Sequence, residues 1–241
     1  MTATPETTIR EIVATDYRTA AVFQRHGVDF CCNGCRTIEQ GCRDAGVDRR
    51  VLLHEIDAIM RTPPADVPRF AFWDVAALID HIVAKHHAYV RAALPALLEH
   101  TRKIAEVHGQ RHTELAHIAR LAERVAREMH DHMAKEEQVL FPFIAALAEA
   151  ARNGRPAPPA PFGTVGNPIR MMEREHLFVG DALAEMRQLT GGFAPPDDAC
   201  ATYRVCLQEL EAFEADLHEH VHLENNILFP RAVALESGAR S

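Results

Sequence analysis

Apolar residues recur along this chain at three- and four-residue intervals, the spacing of helices that bury one face. Between 74 and 108, Leu78, Ile79, Ile82, Val83, Val90, Leu94, Leu97 and Leu98 keep that spacing. It predicts a long helix there, kinked at Pro95. The same pattern predicts long helices over 113–151, 168–190 and 197–235. A Pro/Gly-rich stretch, 153–168, separates the second from the third, and Gly191-Gly192 ends the third. Four long helices in this order predict an up-down-up-down bundle.

Shorter periodic segments precede it, from 8 to 61. Asp16 is expected to cap a helix over 17–26 that Gly27 closes. Thr37 and Gln40 have the spacing of a capping box, opening a short helix that ends near Gly46. Asp48 is expected to cap a helix reaching about Met60. Arg61-Thr-Pro-Pro-Ala-Asp-Val-Pro68 then reads as a linker. The expected organisation is an all-α chain: a small helical module over 1–62, a Pro-rich linker over 63–73, and a four-helix bundle over 74–241.

Composition narrows the function classes. The 241 residues are 47% hydrophobic and 25% charged, as in soluble globular proteins. A net charge of −8 argues against nucleic acid or an anionic membrane as the main partner. No apolar run is long enough to span a bilayer, and the first ten residues lack an apolar signal core. Of 6 cysteines, Cys31, Cys32, Cys35 and Cys42 crowd together instead of being spread as a disulfide framework. A reducing cytoplasm is the expected compartment. The 15 histidines are an excess that needs an explanation.

The explanation lies in a repeat. His132-Met-Ala-Lys-Glu136-Glu-Gln-Val-Leu-Phe-Pro142 and His220-Val-His-Leu-Glu224-Asn-Asn-Ile-Leu-Phe-Pro230 match position for position at a constant offset. A four-residue step places the imidazole and carboxylate of each stretch on one helix face. Val139, Leu140 and Phe143 continue that face from the first pair, and Ile227 and Leu228 from the second. His87 on the first helix and His176 on the third complete a set with nearly the same offset. Four imidazoles and two bridging carboxylates would give each of two metals four protein bonds. An octahedral ion then keeps room for a bridging oxygen and an exchangeable ligand. The donor set suits iron or manganese, admits zinc, and suits copper less. A single His-x-x-x-Glu is usually a surface pair; two on apolar stripes need a partner when buried. The Glu-x-x-His spacing of ferritin-like sites occurs at Glu173–His176 and has no counterpart in the other half.

The remaining histidines have weaker logic. His81, His86, His130, His218 and His222 neighbour the expected ligands but point elsewhere around the helix, as solvated or supporting residues. His26, His54, His100, His108, His112 and His117 are expected at the surface. Cys31 and Cys32, in Asp29-Phe30-Cys31-Cys32-Asn33-Gly34-Cys35, are candidate reactive thiols, since a helix opening at Thr37 would favour thiolate. The competing reading is a set of small buried hydrophobes, or a metal held by the cysteines. Cys200 and Cys206 read as ordinary packing residues.

On these residues the chain resembles the Repair of Iron Centres family, the iron–sulfur cluster repair proteins. Asp29-Phe30-Cys31-Cys32-x-Gly34 is similar to that family's N-terminal Cys-Cys module. The segment from about 74 to 235 resembles its hemerythrin-like bundle, with motifs on His87, His132, Glu136, Glu175-His176, His220 and Glu224. Cys35 and Cys42 are additions to the Cys-Cys pair. The resemblance implies a bacterial cytoplasmic protein with two non-haem iron ions bridged by the two glutamates and by oxo or hydroxo. It implies damaged iron–sulfur proteins or scaffold proteins as partners and NO or O2 as small ligands, with neither nucleic acid nor membrane. Repair by iron donation or by reduction of nitric oxide is one expected role. Binding or sensing of O2 or NO, as in a hemerythrin-like carrier, is the alternative. A thiol or zinc protein with a structural bundle is disfavoured by the doubled His-x-x-x-Glu.

Overall fold

Helix starts follow their capping residues. The computed structural model describes residues 3–62 and 69–238. Helix α1 (Ile9–Thr15) opens on a capping box: the Thr8 hydroxyl accepts from the Glu11 amide and the Glu11 carboxylate from the Thr8 amide. Asp16 accepts the Arg18 amide, as a cap should. What it caps is a 3-10 turn, Tyr17–Thr19, leading into α2 (Ala20–Arg25), and not one helix over 17–26. Gly27 ends α2 with φ 65, a conformation glycine adopts freely. Thr37 and Gln40 form the expected capping box on α3 (Ile38–Ala45), which closes on Gly46. Asp48 accepts the Arg50 amide at the start of α4 (Arg49–Arg61).

These short helices bury Ile9, Ile12, Phe23, Phe30, Ile38, Leu52 and Ile56 in one cluster. Val221, from the far end of the chain, belongs to the same cluster, so the module packs directly on the bundle. Residues 63–68 of the expected linker lie outside the described residues. Its last part is not a free tether: Phe70–Phe72 form a 3-10 turn, and Phe70 is buried between Trp73 and His81.

Four long helices follow, three of them interrupted by a π-helical turn. In the first, α5 (Val75–His81) passes through Ile82–His87 into α6 (Ala88–His108). Asp74 caps it by accepting the Ala76 amide, and α6 runs on through Pro95. In the second, α7 (Leu115–Lys135) passes through Glu136–Leu140 into α8 (Phe141–Arg152). The third is α9 (Gly166–Leu189), uninterrupted. In the fourth, α10 (Ala201–His222) passes through Leu223–Leu228 into α11 (Phe229–Gly238). That helix starts at Ala201 and not at 197, because Cys200 is extended and the Asp198 carboxylate is engaged by His112, 3.0 Å away.

Helix α6 lies along α7 and α10, and α7 along α9, the neighbour order of an up-down bundle. No strand forms among the described residues; Thr8 and Thr37 make an isolated bridge. No described helix is long and apolar enough to cross a membrane. The bundle core divides into two apolar clusters along its axis. One holds Leu94, Ile118, Leu121, Leu183, Leu210 and Phe213. The other holds Leu78, Ile144, Ile169, Leu228 and Phe229. A layer of buried histidines and glutamates joins them.

Candidate metal centre

The π-turns build this layer. A π-turn inserts one residue into the helical ladder and shifts the register of the residues beyond it. In the first helix it buries both His86 and His87, adjacent residues that a regular helix would turn about 100° apart. In the second, it puts Leu140 and Phe141 in the core and leaves Val139 48% exposed. The expectation that Val139 continues the buried face is therefore corrected.

All six expected residues converge. His87, His132, Glu136, His176, His220 and Glu224 are each at most 2% exposed. Their ligand-capable atoms form two groups: His87, Glu136, His220 and Glu224, and His132, Glu136, His176 and Glu224. Both glutamates belong to both groups. Glu136 Oε2 lies 3.3 Å from His87 Nε2 and 3.2 Å from His132 Nε2. Glu224 splits its oxygens, Oε1 at 2.9 Å from His220 Nε2 and Oε2 at 3.1 Å from His176 Nε2. The imidazoles pair as well, His87 with His220 at 3.2 Å and His132 with His176 at 3.0 Å, Nε2 to Nε2. Glu173 takes no part in either group.

The donors fit bound metal better than they fit each other. Both Glu136 oxygens and Glu224 Oε2 are buried without a hydrogen bond among the described residues, despite the imidazoles around them. Nitrogen and oxygen lone pairs aimed at a shared point produce this combination of closeness and missing hydrogen bonds. Left unpaired, each such atom costs about 1–3 kcal/mol, and a bound cation offsets that cost.

The outer nitrogens are held by a second ring of residues. His87 Nδ1 donates to Glu137 at 2.6 Å, His132 Nδ1 to Glu175 at 2.9 Å, and His176 Nδ1 to Asn225 Oδ1 at 2.9 Å. A carboxylate can only accept, so it fixes the proton on Nδ1 and leaves Nε2 as the metal-facing lone pair. His220 Nδ1 lacks such a partner among the described residues. Glu175 also receives Lys135. Burial would raise its pKa, but His132 and Lys135 outweigh that and bring it to about 2.

Without metal, protons hold the cluster together. Burial opposes charging His132, yet the Glu136 charge 3.2 Å away and the hydrogen bond to Glu175 raise its pKa to about 10. For Glu224, burial is likewise outweighed by His220 and His176, which hold the carboxyl well below its usual range.

Of the other histidines, His130 is exposed as expected and His81 and His218 are half-buried, but His86 and His222 are buried, not solvated. His222 lies against Tyr17, with ring centroids 5.0 Å apart and the planes tilted by 36°, and accepts from Asn226 at 3.0 Å. With its charge disfavoured by burial, its pKa falls to about 3. Most of the histidines expected at the surface are paired with carboxylates: His26 with Glu55, His100 with Glu209, His112 with Asp198 and His117 with Glu185.

The Cys-Cys segment abuts this layer. Asn225 Nδ2 donates to the Cys31 carbonyl at 3.1 Å, and Asn226 Nδ2 to that of Phe30 at 3.0 Å. A side chain at Gly34 would strike Asn226. The two sulfurs are 3.7 Å apart and reduced. Asp29, Cys31 and Cys32 could together hold a cation; Cys35 is exposed, Cys42 is in the module core, and neither joins them. Cys31 is buried, and Cys32, its own burial and Asp29 all push its thiol up. The expectation that a helix N-terminus favours thiolate is therefore corrected for Cys31: α3 begins only at Ile38, and that field dies within a turn. Cys32 is half-exposed at a cavity of about 290 Å³ that also meets Gly180, Asp181, Arg187 and Glu214. Cys206 is packed in the core as expected, whereas Cys200 is exposed, its sulfur 3.2 Å from His108 Nε2.

Periodicity and spacing assign no role to the supporting residues Glu137, Glu175 and Asn225. Their only signal in the sequence is adjacency to Glu136, His176 and Glu224.

Comparison with known proteins gives the family. Residues 78–232 match the hemerythrin HHE cation-binding domain, and residues 5–60 match the N-terminal domain of unknown function DUF542. The chain is 34% identical over 216 residues to the iron-sulfur cluster repair protein YtfE of Yersinia pestis strain Pestoides F, covering 90% of this chain and 91% of the relative. The protein of the same name from Yersinia pseudotuberculosis serotype IB is 34% identical over 212 residues, covering 88% and 90%.

Proposed function

The chain belongs to the iron–sulfur cluster repair family of hemerythrin-domain proteins, and from that premise we propose that it restores iron–sulfur clusters damaged by nitrosative or oxidative stress in the bacterial cytoplasm. Its partners are then damaged iron–sulfur proteins or their scaffolds. In this reading the buried layer would hold two non-haem irons, with His87 and His220 available to one, His132 and His176 to the other, and Glu136 and Glu224 to both. What carries this reading is the membership of both glutamates in both donor groups.

Two ferrous ions held there would supply two electrons, which with two protons convert two NO molecules to N2O and water, or would be given up singly to an iron-deficient cluster. The protein's own groups do the rest. Glu137, Glu175 and Asn225 hold three ligand imidazoles in the metal-facing tautomer. The two apolar clusters keep bulk water from the layer. Residues 1–62 act as a module that brings Cys31 and Cys32 to the wall of the bundle. There Cys32 can lose its proton to ligate a departing iron, or exchange with a partner's disulfide to form a mixed disulfide and release the other thiol.

Anaerobic single-turnover exposure of the reduced, full-length protein to NO tests the proposal, with nitrous oxide and released iron measured together. N2O at about one per two irons supports reduction, and iron captured by an apo-cluster acceptor supports donation. Reversible NO binding with neither product would favour the carrier or sensor reading.

A further inference from the structure

On the solvent side of the buried layer lies a second set of metal donors. His81, His86 and Glu219 each present one ligand-capable atom, all within 4.8 Å of one another. His81 ends α5 just before the first π-turn, His86 lies within that turn, and Glu219 comes from α10 across the interface. None of the three belongs to the two groups already described.

The arrangement of His86 repeats the logic of the proposed iron ligands. Its side chain is fully buried, and Nδ1 donates to Asp216 Oδ1 at 2.9 Å. The carboxylate fixes the proton on Nδ1 and leaves Nε2 as a lone pair. That Nε2 is buried with no hydrogen-bond partner among the described residues, and so is His81 Nε2. Aromatic packing alone would explain where the rings sit: His81 contacts Phe70, Trp73 and His86, with centroids 5.1, 5.2 and 5.7 Å away. It does not explain two desolvated imidazole nitrogens with nothing to bind.

We propose that His81, His86 and Glu219 form a third, mononuclear site for a divalent first-row transition ion, ferrous iron or zinc. Two imidazole nitrogens and one carboxylate oxygen suit such ions and leave the remaining positions to water. Glu219 is 21% exposed at its side chain and opens the site outward. Inward, the His86 ring stacks on the ring of His220, 5.6 Å between centroids and 11° from parallel. The ion would sit between solvent and the buried pair. Lys85 Nζ, 2.8 Å from Glu219 Oε2, is the competing cation, and binding requires Glu219 to turn from it or to use its other oxygen.

Cobalt(II) added to the reduced, iron-loaded, full-length protein tests this. Visible d–d absorption and elemental analysis after gel filtration are the readouts. One cobalt per chain is expected in addition to the resident iron. His81→Ala and Glu219→Gln should weaken its binding by about tenfold or more with iron content unchanged. Lys85→Met should tighten it by removing the competitor. No cobalt beyond the iron, cobalt that only replaces lost iron, or equal binding in all three variants would overturn the site. The starting iron content, read before cobalt is added, reports separately on the two-iron reading.

Discussion

Asn225 donates its side-chain amide to the backbone carbonyl of Cys31 across 3.1 Å. The same amide accepts from His176 Nδ1 at 2.9 Å. One buried side chain thus ties the Cys-Cys segment of the N-terminal module to a proposed iron ligand. Asn225→Leu keeps the volume and removes both bonds. Iron affinity in that variant is expected to fall by about tenfold, and Cys32 is expected to alkylate faster as its segment loosens. Wild-type iron retention in a chelator competition would show that this tie does not support the centre.

The shared glutamates predict coupled loss. Glu224→Ala or Glu136→Ala should empty both positions together, because each carboxylate serves both groups. His87→Ala and His220→Ala should act first on one ion, leaving about one iron per chain. Elemental analysis and thermal melting read the result, and loss of iron should lower the melting temperature. Full iron occupancy in a double variant lacking His132 and His220 would falsify the assignment.

The two adjacent thiols should behave differently. Cys31 is buried and its pKa is raised, whereas Cys32 is half-exposed at the cavity. In the native protein, alkylation should label Cys32 first. In Cys32→Ser the remaining Cys31 should react slowly, with a midpoint above the free-thiol value of about 8.5. Mass spectrometry across pH distinguishes the two. Equal labelling of both thiols only after denaturation would remove Cys32 from any chemical role.

The buried layer also predicts that metal removes a response to alkali. In the metal-free protein the His132 pKa is raised to about 10, against about 6.5 unfolded. The folded state therefore binds more protons than the unfolded state between those values, and stability falls as pH rises through that window. In the iron-loaded protein His132 carries no Nε2 proton, so this dependence disappears. Melting temperatures from pH 7 to 9 should decline for the apo protein and stay level for the loaded one. Parallel declines in both would mean that metal does not replace the His132 proton.

Much of this protein follows from local chemistry, which acts within a few residues and is therefore written in order along the chain. Thr37 with Gln40, Asp48 and Asp74 start helices where their side chains reach the first free amides. Periodic leucines and isoleucines build the bundle, and a four-residue step sets each His-x-x-x-Glu on one face. Those rules are enough to bring His87, His132, Glu136, His176, His220 and Glu224 together. The π-turns escape such rules, since they depend on packing across helices: hence Val139 faces outward and His86 lies buried beside His87. Tertiary structure alone decided that Asn225 holds Cys31, that Asp216 orients His86, and that Cys31 is shielded from solvent. The first two join residues more than a hundred positions apart, and the free energy of such a contact depends on which surfaces the folded chain brings within hydrogen-bonding reach.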